Sequence, residues 1–325
     1  MLRGFGWIAV AMVSTGVSFA ADELPGWAYG YPPAGAAPAQ AGRGGAGGGR
    51  GQQAPDTTPK TLPGSTGSFT SAQIRDGFGP ADWFPGDHPS MPEIVAKGRR
   101  PDIRACALCH LPNGNGRPEN ASVRGYPVSY FIEQLNDFRS GNRKSADPRK
   151  ANANAMITMA KAMTDEEIKA AAEYFGAMKW APWVRVVESD TVPKTRIAGG
   201  LFIALEGNET EPLGQRIIEV PENPEQSENF RNPRSGFVAY VPKGSIRKGE
   251  ALAAQCVACH GAGLTGLGPV PGLAGRSPSY TGRQMYDMKV GARKGQWTEL
   301  MKPVVAKLSE EDMVNLAAYT ASLKP

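Results

Sequence analysis

Hydrophobic and polar positions divide the chain into stretches of different character. An apolar run from Gly6 to Val17 follows Arg3 and leads to small residues at Ser18 and Ala20. A basic start, an apolar middle and a small-residue end form the pattern of an export signal, expected to be cut after Ala20; an uncleaved anchor is the alternative reading. No other stretch approaches the ~20 apolar residues that a bilayer-spanning helix needs. From Pro33 to Ser68 large apolar residues are scarce and Gly, Ala, Pro and Gln dominate, with Gly44-Gly45-Ala46-Gly47-Gly48-Gly49 at the centre. That composition buries too little apolar surface to offset its ordering entropy, so residues 21–70 are expected to form a flexible tether.

Beyond the tether the pattern repeats. Tyr130-x-x-x-Gln134-Leu135-x-Asp137-Phe138-Arg139-x-Gly141-x-Arg143-Lys144 matches Tyr280-x-x-x-Gln284-Met285-x-Asp287-Met288-Lys289-x-Gly291-x-Arg293-Lys294. Thr164-Asp165-Glu166-Glu167 matches Ser309-Glu310-Glu311-Asp312, and Tyr174 and Tyr319 fall at the same place in the segment that follows. Each quartet has a hydroxyl three residues before an acid, which predicts a capped helix start. Self-similarity on this scale predicts two homologous helical domains, at 71–180 and 244–325. The stretch between them, 181–243, instead holds short β-prone runs: Trp183–Val187, Leu201–Leu205, Arg216–Val220 and Gly236–Val241. Gly, Pro and Asn punctuate them, so a small β-structured connector is expected. The predicted fold class is mainly α.

Cys106-Ala107-Leu108-Cys109-His110 recurs as Cys256-Val257-Ala258-Cys259-His260, and these pentapeptides contain all four cysteines. C-x-x-C-H is the attachment signal for c-type haem. Two thiols about one helical turn apart can add across the vinyl groups on one porphyrin edge, and the adjacent histidine then ligates iron. A structural zinc ion needs four protein ligands, which neither pentapeptide supplies. Disulfides would leave the histidine after each second cysteine unexplained. Two covalently bound haem c groups are expected.

The chain has three histidines, His88, His110 and His260, whereas two bis-histidine haems would need four. With every cysteine committed, methionine is the natural sixth ligand, and His/Met ligation raises the reduction potential. Met156 lies eight residues before Thr164 and Met301 eight before Ser309, which places both in the loop preceding the capped helix. A lone methionine is more often a gap-filler in the core; the matched pair favours ligation. Met159 and Met163 have no counterparts in the second repeat.

Each proximal histidine needs an acceptor for its other ring N–H. The Pro271 carbonyl is the candidate in the second repeat, and that of Asn120 or Ala121 in the first. Tyr130, Tyr280, Gln134 and Gln284 fit either haem edges and propionates or helix packing. His88, in Trp83-Phe84-Pro85-Gly86-Asp87-His88-Pro89, is expected as a surface or docking residue. The alternative is a sixth ligand or an acid–base group beside an open iron.

The formal charge of +5 is modest and would be offset by haem propionates, so it does not point to a nucleic-acid partner. A mildly basic docking face on the second domain is one reading of it, and a solvated surface the other.

Taken together, the two CxxCH motifs, the Tyr-x-x-x-Gln run and the methionine ahead of a capped helix resemble the dihaem class I cytochromes c, most closely the cytochrome c4 type. The resemblance covers roughly 91–180 and 244–325. It implies an all-helical fold per domain, two low-spin haems, and electron transfer from a membrane or periplasmic donor to a terminal oxidase or enzyme. Carried over by position, His110 and Met156 hold one iron, His260 and Met301 the other. The 181–243 connector, the tether, the Trp83–Pro89 segment and Pro101, which interrupts the helix leading to the first motif, depart from the family pattern. The leading functional reading is a periplasmic electron carrier, with peripheral membrane association left open. A cytochrome subunit of a periplasmic dehydrogenase is the second reading. A dihaem peroxidase is the third, and it would require an accessible iron.

Overall fold

The computed structural model describes residues 24–26 and 57–325; the export-signal reading and most of the tether lie outside the described residues. Among these, no helix is long and apolar enough to cross a membrane.

The first repeat is built on helices Val128–Ser140, Ala151–Ala162 and Asp165–Gly176. They close over a core that includes Phe131, Leu135, Ile168, Ala172 and Phe175. The second repeat uses Ser245–Ala253, Pro278–Lys289, Thr298–Val305 and Glu310–Ser322, around Met285, Val305, Met313, Val314 and Ala317. Both expected capping boxes form. Thr164 Oγ1 accepts from the Glu167 amide at 3.2 Å, and the Glu167 carboxylate accepts from the Thr164 amide at 2.8 Å. Ser309 and Asp312 make the same reciprocal pair. Each satisfies donors that a helix start otherwise leaves open.

The repeats differ at their first helix. In the second, Ser245–Ala253 packs so closely on the last helix that a Cβ on Gly249 would lie 2.0 Å from the Asn315 carbonyl oxygen. In the first, the corresponding helix is only Glu93–Ala96. The helix ends at Gly98, whose φ of 68° is left-handed, and the chain then turns through a backbone bridge between Arg99 and Ile103.

Residues 184–241 carry strands. Val184–Glu188 runs parallel to Phe237–Val241, which pairs antiparallel with Ile218–Pro221. Thr195–Ala198 and Leu201–Ala204 form a hairpin, and Thr191–Pro193 pairs with Thr210–Pro212. The sheet leans on the second repeat: Val186 packs against that core. Ser277 Oγ and the Ser279 amide both donate to buried Glu219 at 2.7 Å. Segment 224–234, which opens with the short helix Pro224–Glu228, instead reaches the first repeat.

The end of the expected tether departs from expectation. Lys60–Thr61 and Ser68–Phe69 pair as a short antiparallel ladder, followed by a capped turn of helix at Ser71–Ile74. The cause is a cluster of Leu62, Ile74, Trp83 and Phe84 joined by Phe69 and Phe230. Segment 224–234 adds Phe230 to this cluster, its ring 6.1 Å from that of Trp83 between centroids.

Candidate haem sites

Both C-x-x-C-H segments are helical, at Cys106–His110 and, through a 3-10 turn, Ala254–His260. This brings the two sulfurs of each motif to one side and turns the histidine inward. None of the four cysteines is paired in a disulfide. Before attachment, burial pushes the Cys106 thiol up to about 12.

The two histidines are held alike. His110 Nδ1 lies 2.8 Å from the Ala121 carbonyl and His260 Nδ1 2.8 Å from the Pro271 carbonyl. A carbonyl only accepts, so Nδ1 carries the proton and Nε2 keeps its lone pair, the form that binds a metal. Burial lowers the pKa of both rings, against the opposing pull of those carbonyls; both are neutral imidazoles. The Pro271 expectation and the Ala121 alternative are the acceptors found.

Met156 and Met301 are not in loops. Met156 sits mid-helix in Ala151–Ala162 and Met301 in Thr298–Val305. The Ala-Asn-Ala-Met-Ile-Thr-Met run has no Gly or Pro to break it, and alanine and methionine are strong helix formers. In the second repeat Pro303 occupies the helix without preventing it.

The first repeat borders an open cavity of about 170 Å³, in which Cys109, His110 and Met156 share one lining. Met159, one helical turn on, reaches the same cavity although it has no counterpart in the second repeat. Part of the lining is apolar, with Phe131, Leu135 and Phe138. The rest is charged and polar: Arg143, Lys150 and Arg283 line it with the acids Glu119 and Asp287, and with Tyr280 and Gln284 of the second repeat. Burial, aided by the neighbouring Arg283 charge, lowers Lys150 to about 7. Arg283 Nε is buried with no protein partner.

These features fit a haem. A porphyrin needs an apolar slot with opposed nitrogen and sulfur ligands, and its two carboxylates need cations with free N–H groups. Cys109, His110 and Met156 line this cavity and, with Cys106 outside its lining, would hold the group; Cys256, Cys259, His260 and Met301 are their counterparts by sequence position.

His88 is elsewhere. Its side chain is 3% exposed, so it is not the surface residue expected. Nε2 meets Asp82 at 3.2 Å and Nδ1 meets the Pro89 carbonyl. The ring packs edge-on against Tyr174, and it does not line the first-repeat cavity.

The repeats meet through a polar seam that sequence reasoning left between two readings. Arg143 donates to Gln134 of its own repeat at 3.0 Å, and to Tyr280 and Gln284 of the other at 3.0 and 2.9 Å. Arg293 mirrors it, donating to Gln284 at 3.1 Å and to Tyr130 and Gln134 at 2.9 and 2.8 Å. Arg276 adds a second tie, lying 3.7 Å over the Tyr126 ring.

Two helical repeats, each with a paired thiol and a carbonyl-anchored neutral imidazole, define a dihaem c-type cytochrome. The cytochrome c family model matches residues 95–179 and 246–324, about half the chain. A thiosulfate dehydrogenase electron acceptor of Stutzerimonas stutzeri is 27% identical over 70% of this chain and 82% of its own length. A cytochrome c4 of Pseudomonas aeruginosa is 42% identical over 25% of this chain and 39% of its own. The thiosulfate dehydrogenase TsdBA of Marichromatium purpuratum superposes with a TM-score of 0.44 at 26% identity, covering 70% of this chain and 38% of that one. The chain belongs to the cytochrome c family and is a dihaem, cytochrome c4-like protein carrying two covalently bound haem c groups.

Proposed function

We propose that this chain is an exported, periplasmic carrier that passes single electrons between redox proteins. Cys106 and Cys109 hold one haem and Cys256 and Cys259 the other; His110 with Met156, and His260 with Met301, are the axial ligands. The haems supply one-electron redox chemistry. The protein's residues keep each imidazole neutral and oriented, and in the first repeat they set apolar side chains and the cations Arg143, Lys150 and Arg283 around one cavity. The observation that carries this reading is the duplicated His Nδ1 to carbonyl contact, 2.8 Å in both repeats. A ring held by a carbonyl on one nitrogen presents the other to a metal in fixed orientation, so little reorganises on electron transfer.

The visible spectrum of the ferric holoprotein, calibrated per haem, tests it. Methionine-to-iron charge-transfer intensity for two haems, with no carbon monoxide binding after reduction, is expected. Intensity for one or none, with carbon monoxide bound, would replace the carrier by an open-iron enzyme. His88, the one histidine available as a distal group, has both ring nitrogens occupied by Asp82 and Pro89, which does not favour a peroxidase.

A periplasmic dehydrogenase is the partner favoured by likeness to the thiosulfate dehydrogenase electron acceptor, which matches 70% of this chain. Retention of a large catalytic subunit through purification separates a fixed subunit from a free carrier.

A further inference from the structure

The two C-x-x-C-H loops are homologous in sequence but opposite in exposure. Residues 111–116, 118 and 119 are all buried; of the corresponding stretch 261–269, six residues are exposed, including Ala262, Thr265 and Pro269. Val257, inside the second motif, is 42% exposed and Leu267, in the loop after it, 58%. Ala107, the counterpart of Val257, is 2% exposed.

The first loop is covered by the chain's own segment 225–234. Arg231 donates to the Leu108 carbonyl within the first motif. Asn113 and Asn115 both donate to the Pro233 carbonyl, at 3.0 and 3.3 Å. The cover is held from behind: Trp83 Nε1 donates to the Phe230 carbonyl at 2.7 Å. Arg234 makes two contacts of 2.7 Å with Asp87.

The second loop has no such cover among the described residues. Its chemistry also differs. Residues 251–275 contain no Asp, Glu, Lys or Arg, whereas 101–125 contain Asp102, Arg104, Arg117, Glu119 and Arg124. Four of the six exposed large hydrophobics of the described chain, Val257, Leu267, Trp297 and Leu300, belong to the second repeat. Leu300 adjoins Met301 in sequence, and Val257 lies between Cys256 and Cys259.

We propose that redox protein partners exchange electrons with this chain through the uncharged apolar surface around the second C-x-x-C-H, and that residues 225–234 close the equivalent surface of the first. The occupant is a redox protein whose contact face is itself apolar and uncharged. Two observations argue for it: the homologous loop of the first repeat already seats a polypeptide, and a charged partner face would meet no counter-charge over 251–275 while losing hydration. One electron crosses the interface, lost by one protein and gained by the other, with no proton or ligand transferred. The inference rests on the carrier reading.

Stopped-flow reduction of the ferric holoprotein by a reduced monohaem cytochrome c of near-zero net charge tests the port, with dithionite as a small reductant. Leu267→Glu is expected to slow the reaction with the cytochrome at least tenfold. Leu205→Glu, at an exposed leucine of the connector, should change it less than twofold. The wild-type rate should be nearly flat in salt. Equal rates for the two variants, or a steep salt dependence, overturn the port. Dithionite should reduce both haems in every variant; a wild-type protein that it cannot reduce defeats the carrier reading itself. Hydroxyl-radical footprinting of the wild type tests the closure without any mutation. Labelling at Val257 and Leu267 with protection at Leu108 and Pro112 is expected, and equal labelling of both loops overturns it.

Discussion

Arg143 and Arg293 stand at the same position of the two repeats and face each other across them as an antiparallel backbone bridge. The Lys144 amide donates to the Ala292 carbonyl and the Lys294 amide to the Asn142 carbonyl, at 2.9 and 2.8 Å. The side chains then cross, each guanidinium reaching the tyrosine and glutamine of the opposite repeat. Two buried cations are tolerated at such close quarters because each guanidinium donates three hydrogen bonds to neutral oxygen acceptors. The tyrosines and glutamines of the repeat motif therefore hold the two halves together beside the cavity.

Removing one arginine should weaken that seam. Arg293→Met is expected to destabilise the holoprotein by about 1–3 kcal/mol, the usual cost of a buried polar group losing its partner. Arg143→Met should act similarly. The double variant should depart from additivity by about 0.5–3 kcal/mol, because both side chains share Gln134 and Gln284. Guanidinium unfolding of the four proteins reads this directly; strict additivity would mean the two arginines are not coupled.

Methionine substitutions separate the ligand from its neighbour. Met156→Ala should abolish one haem's share of the charge-transfer intensity, lower that haem's potential and allow carbon monoxide to bind. Met301→Ala should do the same for the other. Met159→Ala should leave the spectrum unchanged. Loss of the band in Met159→Ala alone would move the ligand by one helical turn.

At Gly249 the two helices of the second repeat approach too closely for a side chain. Gly249→Ala places a Cβ against the Asn315 backbone. Overpacking of this kind costs about 1–3 kcal/mol, although alanine favours a helix by itself. A lowered melting temperature is expected with the spectrum of both haems retained; an unchanged or raised one would show that the helices yield without cost.

His88 links the N-terminal segment to the first repeat in a pH-dependent way. Burial tends to lower its pKa, but the hydrogen bonds to Asp82 and Pro89 and the charges of Asp82 and Asp87 together set it above the ordinary value. A raised folded-state pKa means that the contribution is complete below the unfolded-state value and is lost as pH rises through the folded one. Asp82→Asn should bring the His88 titration down, as followed by NMR of its ring protons. The wild type should lose stability over that pH range and the variant much less. A titration unmoved by the substitution would assign the shift to other groups.

Several features were legible because they are local. A hydroxyl three residues before an acid specifies a capped helix wherever it lies, and both boxes are where the spacing put them. Two thiols and a histidine in five residues carry their chemistry without tertiary help. Even the acceptor carbonyls at Ala121 and Pro271, eleven residues beyond their histidines, follow from a short loop. Met156 and Met301 show the limit: their matched positions were readable, yet their helical setting depends on how far a helix runs against the core.

The amino-acid sequence by itself determined the duplication, the two haem attachment motifs and the helix starts, because each rests on bonds between residues a few positions apart. Tertiary structure alone decided that Arg143 meets Arg293, that Phe230 completes a core with Trp83, and that 225–234 covers one loop and leaves its homologue bare. Those contacts join residues about 120 to 165 positions apart. Their formation depends on which faces dock, and no short-range pattern records that choice.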